Sequence, residues 1–278
     1  MRPLTNTLST CAMPFLTAVA LSLAVPPSLA ASPPLTGKRA CEAKSAATRI
    51  AVLELYTSEG CSSCPPADRW VSALPANGFS VDRLIPLAFH VDYWDQLGWP
   101  DRMAKAQFSS RQRVQAQRNR ANTIYTPQLL LNGADYRHTS SGGGFEDRVR
   151  TVNRLPAAAD LHMVQRPTSA GVDIELDVRL AQSARGQLTQ TFFAITENRL
   201  QNNIKAGENG GKLLNHDFVV RELVGPLLTG RDGRLQWNSA LTLPRDWKRA
   251  DLSFAAFVQD VRSGDILQAL HAPLCSDS

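Results

Sequence analysis

In Leu53-Glu54-Leu55-Tyr56-Thr57-Ser58-Glu59-Gly60-Cys61-Ser62-Ser63-Cys64-Pro65-Pro66 an apolar run ends in a glycine, two cysteines follow with two serines between them, and two prolines come next. Proline's fixed φ and missing N–H suit the first turn of a helix. The local order is therefore strand, turn, Cys-x-x-Cys, helix. A thiol at a helix N-terminus meets the positive end of the macrodipole, which favours thiolate over thiol. The thiolate is the nucleophile of thiol–disulfide exchange, and a second cysteine nearby can resolve the mixed disulfide.

The flanking sequence supplies a fold for this turn. Residues 50–56 form an apolar run of strand length, and Ala67, Trp70, Val71 and Leu74 recur at helical spacing until Asn77-Gly78. Residues 84–91 read as a second strand with almost no polar residue, as expected when both faces are buried. A long polar helix is predicted between Trp99-Pro100 and Asn122, opened by Asp101 and carrying Arg102, Lys105, Arg111, Arg113, Arg118 and Arg120. Thr126-Pro127 precedes the apolar Leu129-Leu130-Leu131, and Asn132-Gly133 is a strong hairpin signal, with residues 134–138 as the returning strand. Gly142-Gly143-Gly144 breaks the chain, and residues 145–153 read as a further helix. The order is β-α-β-α-β-β-α. Strands joined through helices pair in parallel and the hairpin adds an antiparallel edge, which is the order of the thioredoxin fold.

After Pro156 the texture changes. Val172, Ile174, Leu176, Val178 and Leu180 alternate with Asp173, Glu175, Asp177 and Arg179, the pattern of a half-buried strand. Runs at residues 188–196, 218–224, 235–243, 252–258 and 266–270 follow between Gly-rich or Pro-rich turns. The expectation is an α/β thioredoxin-like domain over residues 49–156, then an all-β sandwich domain over residues 157–278.

Composition bounds the function classes. Hydrophobic residues at 43% and charged residues at 20% describe a foldable globular chain. A formal net charge of +5 is too mild to argue for nucleic acid. Arg2, the apolar residues 12–25 and Ser28-Leu29-Ala30 have the form of a secretory signal peptide over residues 1–30, with an uncleaved anchor as the alternative. No later stretch approaches the ~18 consecutive apolar residues of a membrane helix. The chain is thus expected to be exported, to the periplasm or the exterior, with no membrane attachment after cleavage. Residues 31–48, with Pro33, Pro34 and Gly37, read as a flexible lead-in.

Of five cysteines, Cys11 would leave with the signal peptide. The four that remain allow three pairings, and the natural one joins Cys61 to Cys64 and Cys41 to Cys275. The alternative leaves Cys41 and Cys275 free. Cys61-x-x-Cys64 is read as a redox pair, against an inert structural disulfide or half of a metal site. Zinc needs three or four ligands, and no second CxxC or CxxH is present, so neither a metal nor any cofactor is expected.

Other residues carry weaker signals. Glu54 interrupts an apolar strand: it is either a buried proton acceptor for the second cysteine or a carboxylate at a strand edge or paired with an arginine. Thr126-Pro127 stands where such folds place a cis-proline whose exposed backbone pairs with a substrate. His90, Asp92, Tyr93, Trp94, Asp95 and Trp99 cluster after the second strand, at the sheet edge where ligands gather, and form a lined groove or merely cover the sheet end. Charges on the arginine-rich helix are interleaved with Gln and Ser, which suggests a solvated face. Gly207-Glu208-Asn209-Gly210-Gly211-Lys212 has the wrong spacing for a phosphate loop and reads as a plain sandwich loop.

Residues 54–68, His90-Val91-Asp92-Tyr93-Trp94-Asp95 with Leu97-Gly98-Trp99, Tyr125-Thr126-Pro127-Gln128 with Asn132-Gly133, and Gly207-Glu208-Asn209-Gly210-Gly211 with Val219-Val220-Arg221-Glu222-Leu223 together carry a family resemblance. The chain resembles the exported, mostly bacterial domain-of-unknown-function family numbered twelve twenty-three. The resemblance implies a thioredoxin-like domain followed by a β-rich one, and no established reaction.

Two functions fit. One is an exported thiol–disulfide oxidoreductase acting on protein thiols and disulfides or a small thiol, with Cys61 attacking, Cys64 resolving, and Thr126, Pro127, His90, Asp92 and Trp94 toward the substrate. The other is a non-catalytic binding module in which Cys61–Cys64 is a permanent staple.

Overall fold

The computed structural model describes residues 40–137 and 144–276, so the expected signal peptide and residues 31–39 of the lead-in lie outside the described residues. The first half runs β1 (Cys41–Lys44), β2 (Ala51–Thr57), α1 (Pro65–Ser72), β3 (Leu84–His90), α2 (Ala106–Arg118), β4 (Gln128–Leu131), β5 (Ala134–Asp135) and α3 (Phe145–Asn153). The second half is all strand apart from short 3-10 turns: β6 (Ala159–Pro167), β7 (Gly171–Leu180), β8 (Thr189–Glu197), β9 (Leu200–Asn203), β10 (Leu213–His216), β11 (Val219–Leu228), β12 (Arg234–Thr242), β13 (Leu252–Asp260) and β14 (Ile266–Pro273). With 14 strands and three α-helices among the described residues, this is a mostly β α/β fold.

Every residue of β2 and β3 is buried, as their apolar composition requires, and the two pair in parallel from Ala51↔Leu84 to Thr57↔His90. On the other side of β2, β4 pairs antiparallel and is followed through Asn132-Gly133 by β5. A cluster including Leu53, Leu55, Val71, Leu74 and Val149 packs α1 and α3 onto one face of this sheet. Tyr56, Phe89 and Phe108 pack α2 onto the other.

The strands after residue 157 do not close on themselves. Apart from the β9–β10 pair, they form two facing sheets around a core that includes Met163, Ile174, Leu176, Phe193 and Phe254, and of these two only β1-β6-β7-β12 is separate. The other continues into the first half as one eight-stranded sheet of order β14-β13-β8-β11-β3-β2-β4-β5. The joint is narrow: Val219 pairs with Ala88 in parallel, and Ala88 N–H donates to Phe218 O at 2.8 Å. Side chains on successive strand residues point to opposite faces. Phe193 accordingly faces the four-stranded sheet while Phe192 joins Tyr56, Phe89 and Phe108 on the α2 side.

Local departures from the sequence reading have physical causes. Residues 41–44, expected within the lead-in, are strand β1 because β6 offers them an edge, with Cys41 opposite Gln165. Strand β6 escaped recognition because Asp160, His162, Gln165 and Arg166 blur its alternation. Helix α2 starts at Ala106 rather than at Asp101, whose carboxylate accepts from the Glu59 and Met103 N–H groups instead. Among the described residues no helix is long and apolar enough to cross a membrane.

Cys41 and Cys275 form a disulfide with Cα atoms 5.8 Å apart across a separation of 234 residues. It clasps edge strand β1 to the segment after β14. In the chain-entropy account a loop of this length constrains the unfolded chain by about 5 kcal/mol. Replacing both cysteines by serine is expected to lower the unfolding free energy by about 3–5 kcal/mol in urea titrations. Denaturation midpoints indistinguishable from the parent protein would contradict the assignment of a stabilising role.

Candidate functional site

Cys61 and Cys64 lie where β2 gives way to α1, and they are joined in a disulfide with Cα atoms 5.5 Å apart. Cys64 is the N-cap of α1, and Pro65 and Pro66 fill its first turn. The loop is tight: Cys61 N–H donates to Ser58 O and Cys64 N–H to Cys61 O, each at 3.2 Å. Ser63 Oγ lies 3.4 Å from Cys61 Sγ, which as a disulfide sulfur can only accept. Both cysteines are fully buried, while Ser62 and Ser63 are exposed.

What covers Cys61 comes from the other half of the chain. Strands β9 and β10 pair antiparallel as a separate arm, and β10 lies on α1. At the arm's tip the buried Asn209 side chain donates to Glu59 O at 2.8 Å and Cys61 O at 2.9 Å. Beside it, Glu208 Oε2 accepts the Ser62 N–H at 2.9 Å. Residues 207–212, expected to be a plain loop, are therefore part of the site. Gly207 is required at its φ of +72°, and a Cβ there would approach Trp99 Cβ to 3.1 Å.

Below the turn lies a buried polar network. Glu59 Oε2 accepts from Trp99 Nε1 at 2.9 Å and Asn202 Nδ2 at 2.8 Å, and Glu59 Oε1 lies 3.4 Å from His216 Nε2. The His90 and His216 rings meet edge to face with centroids 4.9 Å apart. His90 Nδ1 and Asp101 Oδ2 are 2.6 Å apart, both side chains at zero exposure. Burial pushes Asp101 up, but the His90 charge and hydrogen bond, with the Glu59 and Met103 N–H groups, bring it down to about 2. Burial pushes His90 down, but the charge and hydrogen bond of Asp101, aided by Asp68 and Glu59, leave it raised. Asp68, on α1 below the cysteines, is raised by burial against the pull of His216 and His90. Among the described residues no group of His, Cys, Asp and Glu has the geometry of a metal site.

Beside the turn, Ser63, Pro66, Ala67 and Trp70 form one wall of an open, largely apolar hollow of about 560 Å³. Tyr125, Pro127, Leu129, Tyr136 and Arg137 line the rest. The Thr126–Pro127 bond is cis. Trp94 ties the three loops together: its ring N–H donates to Thr126 Oγ1 at 2.7 Å, and its Cβ lies where a Cβ on Gly60 would come within 3.2 Å.

The expected site residues thus fall into groups. Pro127 lines the hollow beside the Cys61–Cys64 turn, with Thr126 held by Trp94, while the two cysteines are buried and do not line it. His90 is wholly buried, and Asp92 is occupied by Ser109, which both accepts from the Asp92 N–H and donates to its carboxylate. Glu54 is the carboxylate paired with an arginine: Arg111 Nε and Nη2 donate to its two oxygens at 2.7 and 2.8 Å, and Tyr56 Oη donates at 2.8 Å. Arg111 is correspondingly buried, contrary to the expectation of a solvated helix face, under the rings of Phe89, Phe192 and Phe257. Asp101 and His216 carry no signal as site residues in the sequence, and Glu208 and Asn209 stand out only as part of the motif at residues 207–211 that carries the family resemblance. A lone acid or histidine in sequence does not reveal which strand end it will meet.

Three comparisons bear on identity. The family model described as "Protein of unknown function (DUF1223)" matches residues 52–259. A crystal structure of an Agrobacterium tumefaciens protein, solved as a structural-genomics target, is 26% identical, with a TM-score of 0.58 over 84% of this chain and 98% of that one. HBP35 of Porphyromonas gingivalis is 14% identical, with a TM-score of 0.64 over 83% of this chain and 76% of that one, a likeness of fold alone. No curated protein matches the chain.

Two outcomes follow from the buried charges. Arg111→Met strands the Glu54 carboxylate and is expected to cost about 3–5 kcal/mol in urea unfolding, with Glu54→Leu added to it recovering part of the loss. The His90–Asp101 pair sets a pH window. The Asp101 contribution is complete above its ordinary value of 3.8 and is lost as pH falls through about 2. The His90 contribution is complete below its ordinary value of 6.5 and is lost as pH rises through its raised folded value. Thermal midpoints should peak between these limits, and Asp101→Asn should flatten both flanks of the profile. A parent profile that stays flat both below pH 3.8 and above pH 6.5 would contradict the pairing.

Proposed function

The chain belongs to the DUF1223 family, and we propose that it is an exported thiol–disulfide oxidoreductase with Cys61 and Cys64 as its redox pair. The observation that carries this reading is the placement of the Cys61–Cys64 disulfide at the strand-to-helix junction, beside an open apolar hollow lined by Pro127. The order β2-α1-β3-α2-β4-β5-α3 supports a thioredoxin-like scaffold for it. Two disulfides suit an oxidising compartment.

In the reducing direction, the Cys61 thiolate attacks one sulfur of a substrate disulfide and expels the other as a thiolate. The Cys64 thiolate then attacks Cys61 Sγ, releasing the substrate dithiol and forming the Cys61–Cys64 disulfide. Two electrons pass from the pair to the substrate, and the reverse sequence oxidises a substrate dithiol. The hollow takes an apolar side chain of a protein substrate against Pro66, Trp70 and Pro127. Glu54 is left out of the proton path, because Arg111 and Tyr56 engage its oxygens. Asp68, on α1 and 4.0 Å from the His216 ring, is a buried carboxyl that burial raises, which makes it the candidate proton carrier on this helix.

One observation favours the second reading, a binding module with a permanent staple: both cysteines are fully buried and Asn209 holds the Cys61 carbonyl. The two are separated by assay. The mature protein should reduce insulin with a dithiol as electron source, and Cys61→Ser should abolish this. Equal rates in parent and variant, or a pair potential below about −300 mV with no turnover, would assign the staple instead.

A further inference from the structure

We propose that Glu208 is a positioning residue that suppresses the Cys61 thiolate and so biases the pair toward its disulfide. This rests on Cys61–Cys64 being reducible, not on its turning over a substrate.

A thiolate at the start of a helix is stabilised by backbone N–H groups that lack other partners. Here most of those groups are spent, and the side-chain donor nearest Cys61 Sγ is the Ser63 hydroxyl at 3.4 Å. Pro65 and Pro66 remove two of them outright, and Ala67 and Asp68 N–H both donate to Cys64 O, at 2.9 and 3.1 Å. Cys61 and Cys64 N–H are engaged within the loop. The Ser62 N–H, between the cysteines, is given to the Glu208 carboxylate at 2.9 Å. A negative charge thus takes a donor that would otherwise serve an anionic sulfur.

The carboxylate is exposed, but its place is built. Its neighbour Asn209 is fully buried and bonded to both Glu59 O and Cys61 O, and Lys212 Nζ donates to Asn209 Oδ1 at 2.8 Å. The Ser62 side chain and N–H hold Glu208 below the ordinary carboxylate range, so it is ionised at neutral pH. Other charges around the turn do not reverse its sign. His90 is matched by Asp101, His216 faces Glu59 and Asp68, and Lys212 is the arm's counter-charge, turned onto Asn209. A like charge beside an acid disfavours its ionised form, and solvent screening at an exposed carboxylate tempers the effect.

Reduction by glutathione balances without a further reagent. The disulfide and two glutathione thiols give the Cys61 and Cys64 thiols and one oxidised glutathione, with both electrons and both protons supplied by glutathione.

Glu208→Gln keeps an oxygen to accept the Ser62 N–H and removes only the charge. On reduced full-length protein, the pH profile of Cys61 alkylation by iodoacetamide, located by mass spectrometry, gives the thiol's acid dissociation constant. That constant is expected to rise about tenfold in Glu208→Gln. In alkaline glutathione buffers, where the thiolate dominates, the reduced form should gain by the same factor, about 30 mV. Glu208→Asp, which keeps the charge, should stay near the parent, and added salt should shrink the difference between parent and Glu208→Gln. An unchanged profile in Glu208→Gln, or equal shifts in the Gln and Asp variants, overturns the proposal. Insulin turnover does not enter these readouts, so an inactive protein still decides the question.

Discussion

Arg111 is held on three sides by aromatic rings and on the fourth by Glu54, at the centre of the eight-stranded sheet. Phe89 belongs to β3, while Phe192 and Phe257 come from β8 and β13, and their ring centroids lie 5.8, 4.5 and 5.1 Å from its guanidinium carbon. A lone charge in this setting would cost several kcal/mol, so the bidentate carboxylate on β2 is a condition for α2 to dock here. Within the eight-stranded sheet the backbone joint between the halves is a single parallel bridge at Val219 and Ala88. The side chains beneath α2, more than this ladder, bind the two parts of the sheet. Tyr56 belongs to the same group: burial and the neighbouring Glu54 raise its hydroxyl well above the ordinary value, which keeps it a donor to that carboxylate.

The sheet that α2 pins also sets where chemistry can occur. Strand β2 delivers the Cys61 turn, β3 delivers His90 and the loop with Trp94, and β4 follows Pro127, so three loops converge at one sheet end. Trp94 fixes their spacing through its bond to Thr126 and its contact at Gly60. The second half adds the β9–β10 arm, which closes over the turn with Asn209 and Glu208. Helix α1 begins with two prolines and therefore offers the sulfur fewer donors than a helix start ordinarily would. The surroundings of the Cys61–Cys64 disulfide are consequently shared between both halves of the chain.

Local pattern made much of this visible. Residues 145–153 were expected as a helix and are α3, and the alternation from Val172 to Leu180 is β7 to within a residue. The Cys61–Cys64 and Cys41–Cys275 pairings were read from spacing and parity. What periodicity could not carry was partnership at long range. That β11 adds to β3, making one sheet of two expected domains, depends on Val219 meeting Ala88, which no local signal encodes. Arg111 resembled the other arginines of its helix, and its burial is decided by Glu54 and by rings more than 80 residues further on. Glu208 and Asn209 looked like loop residues because in their own segment they are; only the closure of the arm turns them toward Cys61.

Asn209 and Cys61 are 148 residues apart in the chain. This separation imposes an order of events on assembly. A nascent chain that has emerged only through α3 already contains both cysteines of the turn but nothing to cover them. Once the arm folds down, the bond is enclosed. The cover of the Cys61–Cys64 turn is thus the last part of the site to be synthesised, and the turn is enclosed only when a segment 148 residues further along the chain meets it.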